Sequence, residues 1–195
     1  AAEKAKWKQV LEKASKENKI IYVDFDATWR GPCRWLKKYV FTNDSVADFY
    51  NSNFICVNID IDKGDGIDLA KKYDLAGTPD NFFLNYKGEV LHRSIGARSV
   101  KEFIELGKTA LDPQKQLVSV SRLYYSNPFD SKIVSEFFKT LYQAGRLHDT
   151  ILDKYYTFQN DSSLKTEQNW KIIRKYSYYS TGLFKYLINH IWDYS

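Results

Sequence analysis

The chain has 195 residues, 44% hydrophobic and 27% charged, with a net charge of +5. That is an ordinary globular composition, with room for one sizeable domain or for a small domain and an appendage. No apolar run approaches the length that crosses a bilayer, and two cysteines, Cys33 and Cys56, are too few for a disulfide scaffold. Residues 113–195 hold 11 basic and 7 acidic side chains, too thin an excess to point to a nucleic-acid partner.

The first residues, Ala1 to Lys8, are polar and helix-like and show no targeting segment. Residues 3–18 carry Trp7, Val10, Leu11 and Ala14 on one face of an amphipathic helix. Ile20 to Phe25 is a short apolar run suited to a buried strand. After DATWRGPC comes a helix with Trp35, Leu36, Tyr39 and Val40 at helical spacing, then a short helix from Ser45 to Tyr50. Phe54 to Ile59 reads as a second buried strand with Cys56 at its centre, and Ile67 to Tyr73 as a helix. Asn81 to Asn85 and Glu89 to Arg93 form a strand pair around the Tyr86–Gly88 turn. Val100 to Leu111 is a closing helix. The order α-β-α-β-α-β-β-α implies one central sheet with helices on both faces.

Asp112-Pro113 marks a boundary. The remaining stretch holds 17 of the 32 aromatic residues and two glycines, Gly145 and Gly182. Its periodicity is helical: Ser131–Ala144, Leu147–Phe158, Gln168–Tyr179 and Leu183–Trp192. We therefore expect two domains, 1–111 and an all-α C-terminal module at 112–195 that continues past Ser195. The tyrosine pairs 124/125, 155/156 and 178/179 are expected to place one ring in the core and one at the rim. They also leave open a partner surface.

The segment Val23–Cys33, VDFDATWRGPC, resembles the active-site segment of the thioredoxin family, whose pattern is Trp-Cys-Gly-Pro-Cys. FICVNIDID at 54–62 resembles the family's third-strand region, and Gly77-Thr78-Pro79 its cis-proline segment. Phe82–Leu84 with KGEV at 87–90 resembles its final hairpin, and Ile95-Gly96-Ala97 the turn after it. The resemblance covers about residues 1–110. It implies a thioredoxin-like three-layer α/β/α domain with a central mixed sheet. The stretch 37–54 resembles thiol:disulfide interchange proteins with an extended active-site helix, which implies a periplasmic or secreted setting.

In that family the first cysteine, exposed at a helix N-terminus, attacks a substrate disulfide, and the second resolves the mixed disulfide. Here Arg30 stands at the first position and Cys33 at the second. No internal dithiol/disulfide cycle can then run within the motif. Cys33 is either an inert buried thiol or a monothiol working with an external one. The resemblance makes Asp24 a remnant of the family's buried proton carrier; otherwise it is a hydrogen-bonded or wet acid at a strand edge. It also implies a cis peptide bond at Pro79 and a peptide-binding groove at Trp29, Arg30, Gly31, Pro32, Thr78 and Pro79. Trp29 serves there as a flat contact for peptide or packs on the 60–65 loop. Arg30, Asp26 and Asp80 are expected to form a small charged cluster. A Cys33–Cys56 disulfide is disfavoured by the family fold. His92, His148 and His190 lack metal-ligand spacing, and Asp60, Asp62, Asp65 and Asp68 read as a solvated turn. The expected partner is a protein or peptide, with no cofactor, no metal and no nucleic acid.

Overall fold

Ile20–Asp26 and Phe54–Asp60 are neighbouring parallel strands, β1 and β2, running in register from Ile20 opposite Phe54 to Asp26 opposite Asp60. They belong to a computed structural model that describes residues 2–194. Asp80–Leu84 (β3) pairs antiparallel with β1, and Val90–Ile95 (β4) pairs antiparallel with β3. The sheet order is β2-β1-β3-β4, which makes β2 an edge. The mixed sheet arises because β1 and β2 are joined through helices, whereas β3 and β4 meet at a tight turn. In that turn Gly88 takes a φ of +78°.

Strand alternation sends the side chains of β1 to two cores. Tyr22 and Phe83 face a cluster with Leu36 and Val40 of α2 (Gly31–Tyr39), Val46 and Tyr50 of α3 (Asp44–Asn53) and Phe103 and Leu106 of α5 (Val100–Leu111). Tyr50 stacks on Phe103 at 4.5 Å, and its hydroxyl donates to the Phe103 carbonyl at 2.8 Å. Ile21, Val23, Phe25 and Phe82 face Ala14 of α1 (Ala2–Glu17) and Leu69 of α4 (Asp65–Lys72). This is the expected three-layer α/β/α arrangement. α5 begins at a capping box: the Ser99 side chain accepts from the Glu102 N–H, and the Glu102 carboxylate accepts from the Ser99 N–H. Gly66 is required by a close approach, since a Cβ there would lie 1.9 Å from the Asp60 carbonyl oxygen. The acidic segment around it is therefore a helix start packed on β2.

Cys56 departs from expectation. An apolar run at the centre of a sheet would bury it, but β2 is an edge strand and Cys56 is exposed. Both cysteines are free thiols.

By its contacts the chain divides into Ala1–Ser119 and Val120–Ser195. The helices after α5 are α6 (Leu117–Ser126), α7 (Ser131–Gln143), α8 (Asp149–Phe158), α9 (Asp161–Leu164), α10 (Glu167–Tyr176) and α11 (Thr181–His190). Two of them, α6 and α9, were not expected. Short 3-10 turns at Ser177–Tyr179 and Ile191–Tyr194 end the expected third and fourth helices early. Asp130, Thr166 and Ser180 cap α7, α10 and α11 with their side chains. Tyr124 stacks on Phe137 at 4.1 Å, and Phe138, Leu152, Tyr155, Ile173 and Leu183 are fully buried or nearly so. Tyr124 with exposed Tyr125 follows the core-and-rim expectation, as does buried Tyr155 with Tyr156. Tyr178 and Tyr179 do not: both are exposed, and Tyr176 takes the buried place instead.

Candidate functional site

The loop from β1 to α2 carries Trp29 and Arg30. Arg30 is the N-cap of α2, with extended backbone (φ −80°, ψ 128°) and no side-chain cap, and Pro32 occupies the first turn, where its missing N–H costs nothing. Gly31 is exposed, with open space where a Cβ would stand. Cys33 lies inside the first turn and is 2% exposed. The Trp29 indole N–H donates to Asp62 Oδ2 at 2.8 Å, yet the ring is 65% exposed. The 60–65 loop therefore pins its nitrogen, as the packing expectation has it, and leaves its face open. The Arg30 guanidinium lies 5.6 Å from the Trp29 ring centroid and donates to Thr78 Oγ1 at 3.4 Å.

Behind this loop two carboxylates of β1, Asp24 and Asp26, are buried. Asp24 Oδ2 accepts from Asn58 Nδ2 at 2.8 Å, while its Oδ1 has no hydrogen-bond partner. Desolvation, reinforced by the Asp26 charge, pushes the Asp24 carboxyl from 3.8 up to about 7; the Asn58 hydrogen bond and Lys37 oppose the shift. Asp26 forms an ion pair with Lys37, whose ammonium also donates to Asn58 Oδ1 at 3.3 Å. Lys37 and Asn58 thus link the two acids in one chain of contacts. Neither residue was singled out from sequence. The available signals were spacing, with Lys37 four residues after Cys33 on α2, and register, with Asn58 directly opposite Asp24.

Across the cleft the Thr78–Pro79 bond is cis, as expected. Thr78 and Pro79 are buried, and Gly96 N–H holds the Pro79 carbonyl at 2.8 Å. Asp80 is fully buried and forms an ion pair with Arg93, whose guanidinium lies 4.2 Å from the Phe82 ring centroid. Burying that acid is tolerable because the partner is equally buried and directly bonded. The expected cluster of Arg30, Asp26 and Asp80 resolves into three separate pairings: Arg30 with Thr78, Asp26 with Lys37, Asp80 with Arg93. The structure brings Trp29, Arg30 and Thr78 to one cleft. Among the described residues no group of three or more His, Cys, Asp or Glu is placed to hold a metal ion. No helix there is long and apolar enough to cross a membrane.

Residues 2–85 match a family model described as Thioredoxin-like. Thioredoxin H-type of Fagopyrum esculentum is 33% identical over 92 residues, which cover 47% of this chain and 73% of that protein. The chain belongs to the thioredoxin-like family. Among solved structures, a candidate disulphide-isomerase from Bacteroides thetaiotaomicron is similar to it, with 38% identity and a TM-score of 0.49 over 53% of this chain and 86% of that one. The C-terminal domain of Neisseria meningitidis DsbD is 24% identical, with a TM-score of 0.47 over 55% of this chain and 95% of that one. The thioredoxin-like fold is one of thiol:disulfide interchange. Within it, this thioredoxin-like chain has Arg30, not sulfur, where the loop meets α2.

Proposed function

We propose that this chain is a thioredoxin-fold protein of thiol:disulfide interchange ancestry whose exchange chemistry is lost or strongly impaired, and which keeps a groove for an extended peptide. The observation that carries this reading is at the N-cap of α2. Arg30 supplies no nucleophile there, and the remaining thiol of the motif, Cys33, is 2% exposed. Exchange begins with an accessible thiolate attacking a disulfide sulfur in line, and a shielded sulfur cannot be reached by a protein disulfide. In this reading Cys33 and Asp24 are remnants of the resolving thiol and its proton carrier. Trp29, Arg30, Gly31, Pro32, Thr78 and Pro79 form the peptide groove. Supporting it, the Thr78 backbone N–H and C=O enter no backbone hydrogen bond among the described residues. An incoming extended chain can take them up by strand-style pairing.

The same reading assigns residues 1–111 to the thioredoxin-like domain and 112–195 to a helical module. It also places the protein in a periplasmic or secreted setting, on the resemblance of 37–54 to the extended-helix interchange proteins. Reduction of insulin by dithiothreitol tests it. The wild-type chain should match the uncatalysed rate, and Arg30→Cys should raise it. Wild-type catalysis that disappears in Cys33→Ser would overturn the reading in favour of exchange through Cys33 with an external thiol.

A further inference from the structure

The cleft between the Trp29–Arg30 turn and residues 74–78 encloses about 380 Å3, with Trp29 and Arg30 on one side and Lys71, Asp74 and Thr78 on the other. Of the carboxylates nearby, Asp26 is paired with Lys37 and Asp80 with Arg93, Asp62 accepts the Trp29 N–H, and Asp74 is not without a partner. The two cations of the cleft are not so engaged. Lys71 is exposed and, among the described residues, has no carboxylate within ion-pair distance. Arg30 is half-buried and uses one of its five N–H donors on a long contact to the neutral Thr78 hydroxyl.

The backbone adds the same sign. The nine-residue helix α2 opens at Arg30, no side chain caps it, and its first turn contains no acid, so the positive end of its dipole lies beside Arg30 with no acid of its own first turn to offset it. A guanidinium suits this place better than an ammonium would. Its flat face can lie against the Trp29 ring while its edge presents parallel N–H groups to a carboxylate.

We propose that the groove selects an extended peptide carrying an aspartate or glutamate, whose carboxylate pairs with the Arg30 guanidinium, with Lys71 as a second, more distant cation. This rests on the groove reading given above. The peptide backbone meets Thr78, and the acidic side chain points across the cleft to residue 30. The test is selection of random dodecapeptides displayed on phage against the full wild-type chain and, in parallel, against Arg30→Gln. One enriched peptide is then measured by fluorescence anisotropy with its acid intact and with the acid changed to the amide.

The expected result is an acid at a recurring position in peptides enriched on the wild type alone. The amide peptide should bind the wild type about tenfold more weakly, the worth of one charge-assisted pair. That difference should collapse on Arg30→Gln and shrink with salt. Enrichment without an acid, or equal affinity for acid and amide peptides, overturns the acidic selection and leaves the groove standing. Failure to enrich any peptide on the wild type overturns both. So does enrichment of peptides that shift amide resonances elsewhere than residues 29–33 and 74–79.

Discussion

Replacing Asp24 by Asn removes a charge that the fold holds at a cost. Asp24 is 3% exposed, and burial moves its carboxyl from 3.8 to about 7. That rise, at about 1.4 kcal/mol per tenfold change in acidity, sets an upper bound of about 4 kcal/mol on the penalty for ionising it in the native state. Asparagine keeps the acceptor for Asn58 Nδ2. Its amide nitrogen takes the place of the oxygen that has no partner, beside an open cavity of about 260 Å3 that water can enter.

The sign follows from linkage. The folded pKa lies above the unfolded one, so the neutral form favours folding. Wild-type stability is therefore eroded as pH rises from about 4 to about 7 and is flat beyond. Urea unfolding of both proteins from pH 3 to pH 9 measures this. The curves should coincide at the acid end and separate through that window. The variant should end up more stable by about 2–4 kcal/mol at pH 8. A gap that does not change with pH, or a variant less stable than wild type at pH 8, refutes the assignment of a buried, desolvated carboxylate.

His92 should act in the opposite direction. It is 2% exposed, its Nδ1 accepts the Leu117 N–H at 3.1 Å, and burial, aided by Arg98, pulls it from 6.5 down to about 4. The unfolded chain takes up the proton first. Its contribution is whole above pH 6.5 and is lost as pH falls toward 4, by up to about 3 kcal/mol. His92→Gln should remove that part of the pH slope in urea unfolding, and an unchanged slope would refute it. Ser99→Ala removes half of the capping box at α5 and should lower stability by about 1 kcal/mol in the same assay. No loss would mean the cap adds nothing. Under native conditions iodoacetamide should modify Cys56 before Cys33. The Cys56 rate should still be climbing above pH 9, because partial desolvation pushes its thiol up to about 11 against the pull of Lys19. Prior labelling of Cys33 in peptide mass maps would contradict its burial.

Most of the α/β domain was legible because each element announces itself locally. Ile20–Phe25 is apolar but for Asp24, Val100–Leu111 has helical spacing, and Lys87-Gly88 makes a turn between two strands. Of the cleft residues, Trp29, Arg30 and Thr78 were legible through the order of motifs around Trp29 and Pro79, whereas Lys71 and Asp74 were not. What stayed hidden depends on partners distant in sequence. Lys37 on a helix and Asn58 on the neighbouring strand meet the buried acids only once β1 and β2 are in register. Asp80 reads as a groove charge until β4 delivers Arg93 to it. Cys56 reads as core because apolarity suggests two covered faces, and only the strand order reveals that β2 is an edge. α6 is poor in helix formers, with valine, serine and tyrosine in LVSVSRLYYS. Its start is fixed by His92, a residue 25 positions upstream that accepts the first N–H.

The central claim is that sulfur chemistry at the loop–helix junction has stopped. The most direct measurement is the redox state of the purified wild-type chain after equilibration in glutathione buffers from fully reducing to strongly oxidising. Each sample is then quenched with an alkylating agent under denaturing conditions and weighed by mass spectrometry. The account predicts both thiols alkylated at the reducing end and no intramolecular disulfide in any buffer. A species lighter by two hydrogens and closed to alkylation, reversible with the buffer, would contradict it.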